Sequence, residues 1–245
     1  MSDRLPWDYW FDHRSWPATF IFLILVFVLW GLTYPWDYRV GEFLRSSGEA
    51  LFLGLFLFLF GVLAVTLGQV EAQLWAGRLS PRGQLVHLVV RVAVSLLLVL
   101  PLGWAFAASG FLEPGRFPLV LGILWLYGTM LACFGWWVGR TGLSELGQFN
   151  LKYAGVIGLL LGSVGLPWLR GLSPYTALEY AVWGLRPAGW SPEVAVVAWV
   201  GLGALGAGAA MASYRRRGDG NGRGRRADLQ GQGSEGEEER WRPST

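Results

Sequence analysis

The chain has 245 residues, 53% of them hydrophobic and only 15% charged, with 35 Gly, 15 Trp and a single Cys. Its net charge is +3, and its two His and one Cys are too few for a structural metal site of four soft ligands. One Cys also excludes an internal disulfide, and nucleic acid is not an expected partner.

Six stretches carry no charged residue: Ser15–Trp36, Ala50–Val70, Val92–Leu112, Phe117–Gly139, Tyr153–Leu169 and Val194–Tyr214. A helix rises about 1.5 Å per residue, so roughly 20 residues match a hydrocarbon core of about 30 Å. The runs do not alternate as barrel strands do, and lipid cannot satisfy free backbone groups, so helices are expected. The expected fold is all-α: a polytopic membrane protein with six transmembrane helices, a short N-terminal interfacial helix and a disordered C-terminal tail. The corresponding segments are 1–17, 18–214 and 215–245.

In chain order, Trp7, Trp10 and Phe11 share one helical face while Asp8 and Asp12 lie on another. This predicts an amphipathic helix lying flat on the membrane, bounded by Pro6 and Pro17. An aromatic-belt flank without fixed structure is the alternative. In the second run Gly54, Gly61 and Gly68 recur every seven positions, and in the fifth Gly155, Gly158, Gly162 and Gly165 alternate steps of three and four. Small residues so placed let helices approach closely, within one bundle or between two copies.

Residues Glu71–Arg91 read as a polar cytoplasmic connector with helical material on both sides of Ser80-Pro81-Arg82-Gly83, and with Arg91 snorkelling toward headgroups from the start of the third span. Pro101 is expected to kink the third span. Before the last span, Ser173-Pro174 is a good N-cap and first-turn pair. Tyr175, Leu178, Val182 and Leu185 then fall near one face and Gly184, Pro187 and Gly189 end the segment, which predicts a short amphipathic helix at the outer surface. No role is assigned to Glu179, its only acid.

Arg215, Arg216, Arg217, Arg223, Arg225 and Arg226 follow the last span directly, which holds that end in the cytoplasm; an even number of spans puts the N-terminus there too. The location expected is the inner or plasma membrane. Gly218–Thr245 has too few apolar residues to bury and is expected to be disordered.

No catalytic, cofactor-binding or metal-ligating residue stands out. No carboxylate pair falls inside a span, no buried ionisable residue is expected there, and no G-x-x-x-x-G-K-[ST] phosphate loop is present. The chain is therefore expected not to be an enzyme, and any uphill work must draw on another chain.

Two segments resemble the permease subunit of type-2 ATP-binding-cassette exporters. Leu172-Ser173-Pro174-Tyr175-Thr176-Ala177-Leu178-Glu179-Tyr180 is similar to the stretch before that family's last span. Glu71-Ala72-Gln73-Leu74-Trp75-Ala76-Gly77-Arg78-Leu79-Ser80-Pro81-Arg82 is similar to its cytoplasmic connector, without the family's Gly-Thr pair. The resemblance covers about residues 1–217. It implies an export subunit that pairs with a second copy or a homologue around a translocation path in the lipid membrane. It also implies a separate ATP-hydrolysing subunit docked on the connector through Glu71, Trp75, Arg78 and Arg82. A non-transporting membrane scaffold or assembly factor is the alternative, and a lipid-modifying intramembrane enzyme a more remote one.

Overall fold

A computed structural model describes residues 16–33, 42–74, 79–108, 113–165, 172–184 and 191–213. Among these the chain is all-helical: α1 (Pro17–Thr33), α2 (Glu42–Leu74), α3 (Pro81–Ala108), a 3-10 turn (Pro114–Arg116), α4 (Phe117–Val138), α5 (Glu145–Gly165), α6 (Pro174–Trp183) and α7 (Pro192–Ser213). The expected interfacial helix before Ser15 and the tail from residue 215 lie outside the described residues.

Among the described residues, four helical stretches are long and apolar enough to cross a membrane: Ala50–Leu74, Pro81–Pro101, Phe117–Val138 and Pro192–Ser213. The apolar part of α1, Pro17–Leu32, is shorter. The first turns of α5 hold Glu145, Gln148, Asn150 and Lys152, and its expected span runs past Gly165 beyond the described residues. The described residues thus hold four helices of spanning length, where the sequence predicts six spans over the whole chain.

Small residues and aromatic rings build the core. α2 and α4 make the most extensive contact in the molecule, with α1 against α2 and α3 against α4. Along α2, Leu57, Phe60, Ala64 and Leu67 recur at steps of three and four and are fully buried. A row of rings then crosses the bundle. Phe22 of α1 lies 5.9 Å from Phe60 of α2, Phe60 lies 6.4 Å from Tyr127 of α4, and Tyr127 lies 6.2 Å from Trp199 of α7. The outside is apolar as well: Phe20, Ile21, Ile24, Phe27, Val197 and Leu205 are each more than half exposed. A water-soluble surface rarely presents so much hydrocarbon, whereas lipid favours it.

At the end away from the α2–α3 connector, α6 closes the bundle. Its N-terminus is capped by Ser173, whose hydroxyl accepts from the Thr176 N–H at 3.4 Å, and Pro174 takes the first turn. It stops at Gly184, whose φ of 72° suits a residue without a Cβ. The expected element is present, but turned: Pro174, Ala177, Leu178 and Ala181 face inward while Tyr175 and Val182 are only half-buried. Trp199 Nε1 donates to the Leu172 carbonyl at 2.9 Å, and Arg116 Nη1 donates to the Tyr180 carbonyl at 3.4 Å. Arg116 is itself paired with Glu113 at 2.9 Å. These bonds tie α6 to α7 and to the turn before α4.

Candidate functional site

The predicted connector is largely helix. α2 continues to Leu74 and α3 begins at Pro81, so only residues 75–80 join them. Ser80 starts α3: its hydroxyl accepts from the Gly83 N–H at 3.2 Å and its carbonyl from the Gln84 N–H at 3.0 Å. With the helix begun there, Gln84, His87, Leu88, Arg91 and Ser95 fall on one face, and all five are buried. Their spacing of three and four is an amphipathic pattern with a polar stripe turned inward, toward the ends of α2 and α4.

On α2 the partner is Glu71, fully buried, whose Oε2 accepts from His87 Nδ1 at 2.8 Å. On α4 the partner is Trp136, joined by Arg140 two residues past the helix end. Trp136 Nε1 donates to Gln84 Oε1 at 3.1 Å, and Arg140 Nη2 donates to the same oxygen at 2.6 Å. The Arg140 guanidinium also lies 5.4 Å from the centre of the Trp136 ring, within cation–π range. Gln84 Nε2 turns back to the Leu79 carbonyl at 3.4 Å. One amide side chain therefore joins the connector, α3 and α4, while the Glu71–His87 hydrogen bond joins α2 to α3.

A buried charge without partners is costly, so these bonds are what make the cluster tolerable in an apolar bundle. Glu71, Gln84, His87, Arg91 and Arg140 each take part in further interactions as well. Beside the cluster Trp16, Thr19, His87, Arg91 and Ser95 border a cavity of about 20 Å³, room for one water molecule. Ser95, the hydroxyl of this face, donates to the Arg91 carbonyl at 3.0 Å and not to His87, so no Ser–His nucleophile is assembled. Among the described residues no three His, Cys, Asp or Glu side chains gather to hold a metal.

Glu71, His87 and Arg91 are buried at the connector ends of α2 and α3, just beyond the charge-free runs. One expectation is corrected: Arg91 does not snorkel, being 8% exposed and bordering the cavity. Glu71 and His87 are paired across helices, which a single sequence does not display.

Of the residues expected to dock a partner, Glu71 is fully buried and Arg82 is exposed on the first turn of α3. Trp75 and Arg78 lie outside the described residues. The packing glycines divide. A Cβ at Gly68 would overlap the Ala132 carbonyl oxygen, and one at Gly61 would come within 2.8 Å of the Tyr127 hydroxyl. At Gly155 it would meet the Phe134 ring at 2.9 Å, whereas at Gly54 and Gly158 no atom lies within 4 Å. Gly162 and Gly165 end α5.

Sequence reasoning missed three glycines of α4. Gly128 sits against Phe60, Gly135 against the Val65 backbone, and Gly139 against Gln69 and Ala72. Their spacing of seven and four was the available signal.

Comparison with protein-family models, with curated proteins and with solved structures finds no match.

Proposed function

We propose that this chain is the membrane permease subunit of an ATP-binding-cassette exporter, driven by a separate ATP-hydrolysing chain. The observation that carries the reading is the polar cluster flanking residues 75–80. A docking element can move a bundle only if it is stiffly tied to the helices it must move. Here the connector enters from α2 three residues after the buried Glu71, and leaves into α3 three residues before the buried Gln84. Through His87 and Arg140, those two side chains brace α2, α3 and α4 against one another.

In this reading closure of the ATPase subunits pushes on the connector and on the exposed Arg82, and the braced ends of α2, α3 and α4 tilt together. A second permease copy or a homologue completes the translocation path. The surface helix α6, set directly before α7, supports the same reading by its place in the chain order. Six spans, with both termini in the cytoplasm of the inner or plasma membrane, belong to this proposal.

The test is to replace Arg78 and Arg82 with Glu and measure how much ATP-hydrolysing subunit is recovered with the tagged protein from native membranes. The expected result is loss of that subunit with no loss of folded permease, since Arg82 has no packing role. Recovery in unchanged amount would remove the connector as the docking site.

A further inference from the structure

Where α1 begins, its first turn meets the polar stripe of α3 across the small cavity bordered by Trp16, Thr19, His87, Arg91 and Ser95. Pro17 opens the helix without an N–H, and the first amide bonded back is that of Phe20, to the Trp16 carbonyl at 3.0 Å. The amides before it look out of the helix end, where the dipole is positive. Thr19 adds a hydroxyl. This residue is 2% exposed, borders the cavity, and has no hydrogen-bond partner for that group among the described residues. From α3 the buried His87 imidazole and Arg91 guanidinium close the other side. We propose that the cavity is a binding site for one small monovalent anion, such as chloride.

Charge and size choose the guest. The carboxylate of the cluster, Glu71, lies behind His87 with its Oε2 on Nδ1, and it does not border the cavity. Ser95 spends its proton on the Arg91 carbonyl. What the cavity offers is therefore the Thr19 hydroxyl, the open end of α1 and a guanidinium that stays protonated. Among the described residues the buried permanent charges are Arg91 and Arg140 against Glu71, an excess of one cation. An anion offsets that excess in apolar surroundings, and a water molecule does not. The volume of about 20 Å³ takes a single guest near the size of water, so sulfate and phosphate are too bulky. α1 packs chiefly on α2 and only lightly on α3. A bound anion would clamp the start of α1 to the face of α3 that carries the brace. The proposal stands whether or not an ATPase docks.

The experiment uses the full chain, purified in mild detergent with sodium gluconate and titrated with sodium chloride at constant ionic strength. Thermal unfolding is followed throughout. Chloride is expected to raise the midpoint saturably, by a few degrees at about a tenfold excess over its dissociation constant. Broadening of the chloride NMR line by the protein should saturate over the same range. Arg91→Gln is expected to abolish both responses. Thr19→Val keeps the side-chain shape and tests the site independently, should the arginine variant fail to fold. It is expected to move half-saturation to about tenfold higher chloride or more, by removing one hydrogen bond to a charge. Identical unfolding in chloride and gluconate would overturn the proposal and leave the cavity to water. An equal rise with sulfate would also overturn it, as a general salt effect, and so would a titration unchanged in Thr19→Val.

Discussion

The two sides of α4 use the same small residues to different ends. Toward α2, Gly68 and Gly135 let backbone meet backbone, with the Ala132 and Val65 carbonyls where side chains would otherwise begin. Toward α5 and α7, Gly155 receives an aromatic ring, and beside it the helices diverge enough to leave an open slot. The first side is continued by the polar cluster, so α2, α3 and α4 are held by close packing and by buried hydrogen bonds at once. On the second side the closest backbone approach, Gly206 against Cys133 and Phe134, is looser, with a Cβ there meeting backbone at 3.2 Å, and no charged side chain lines the slot. In a membrane, where apolar surface alone does not drive helices together, this difference separates the rigid part of the bundle from the part that can yield.

Substitutions sharpen that contrast. The largest effect is expected at Gly68→Val or Gly135→Val, because the obstructing atoms are backbone and cannot turn aside. Each should destabilise the bundle by more than about 3 kcal/mol, seen as loss of folded protein in a detergent-titrated unfolding series. Glu71→Ala should come next, at about 1–3 kcal/mol, by leaving the buried His87 without its acceptor. The Glu71→Gln variant, which keeps an acceptor, should recover much of that in the same assay. On the yielding side, Gly155→Ala asks only that the Phe134 ring shift, and about 1 kcal/mol or less is expected. Gly158→Ala, with open space around it, should be neutral or stabilise by roughly 0.4–1 kcal/mol through the helix preference of Ala. Equal losses at Gly68 and Gly158 would erase the distinction between the two sides.

The smallest effect concerns α6, outside the spanning segments. Burial raises the Glu179 carboxyl above its ordinary range, and a hydrogen bond with Tyr175 pulls it partly back. A carboxyl raised on folding supports the fold while protonated, and that support fades as pH climbs through the raised value. Glu179→Gln should therefore be slightly more stable than the unmodified chain at neutral pH and indistinguishable from it in acid. A pH series of thermal unfolding reads this difference directly.

Much of this was legible in the residues. Ser173, Pro174 and Gly184 announced α6 because caps and turns are local chemistry, carried by two or three adjacent positions. Three of the spanning helices, α2, α4 and α7, followed from charge-free runs of the right length. The polar residues Glu71 and His87 flanking the connector read as a water-facing segment, whereas each has the other as its partner across α2 and α3. The polar spacing 84, 87, 91 and 95 was visible, but which side it faced depended on Trp136 and Arg140, fifty residues away. The same holds for the glycines. Periodicity grouped Gly54 with Gly61 and Gly68, yet only the last two meet α4, and a Cβ at Gly54 would face open space.

The most direct measurement is affinity isolation of the full chain from its native membrane in mild detergent, with the recovered chains identified by mass spectrometry. The expected result is a stoichiometric subunit bearing a phosphate-binding loop, lost when Arg78 and Arg82 are reversed in charge. Recovery of intact, inserted protein with no ATP-hydrolysing subunit would contradict the permease assignment and leave the braced helices as part of a membrane scaffold.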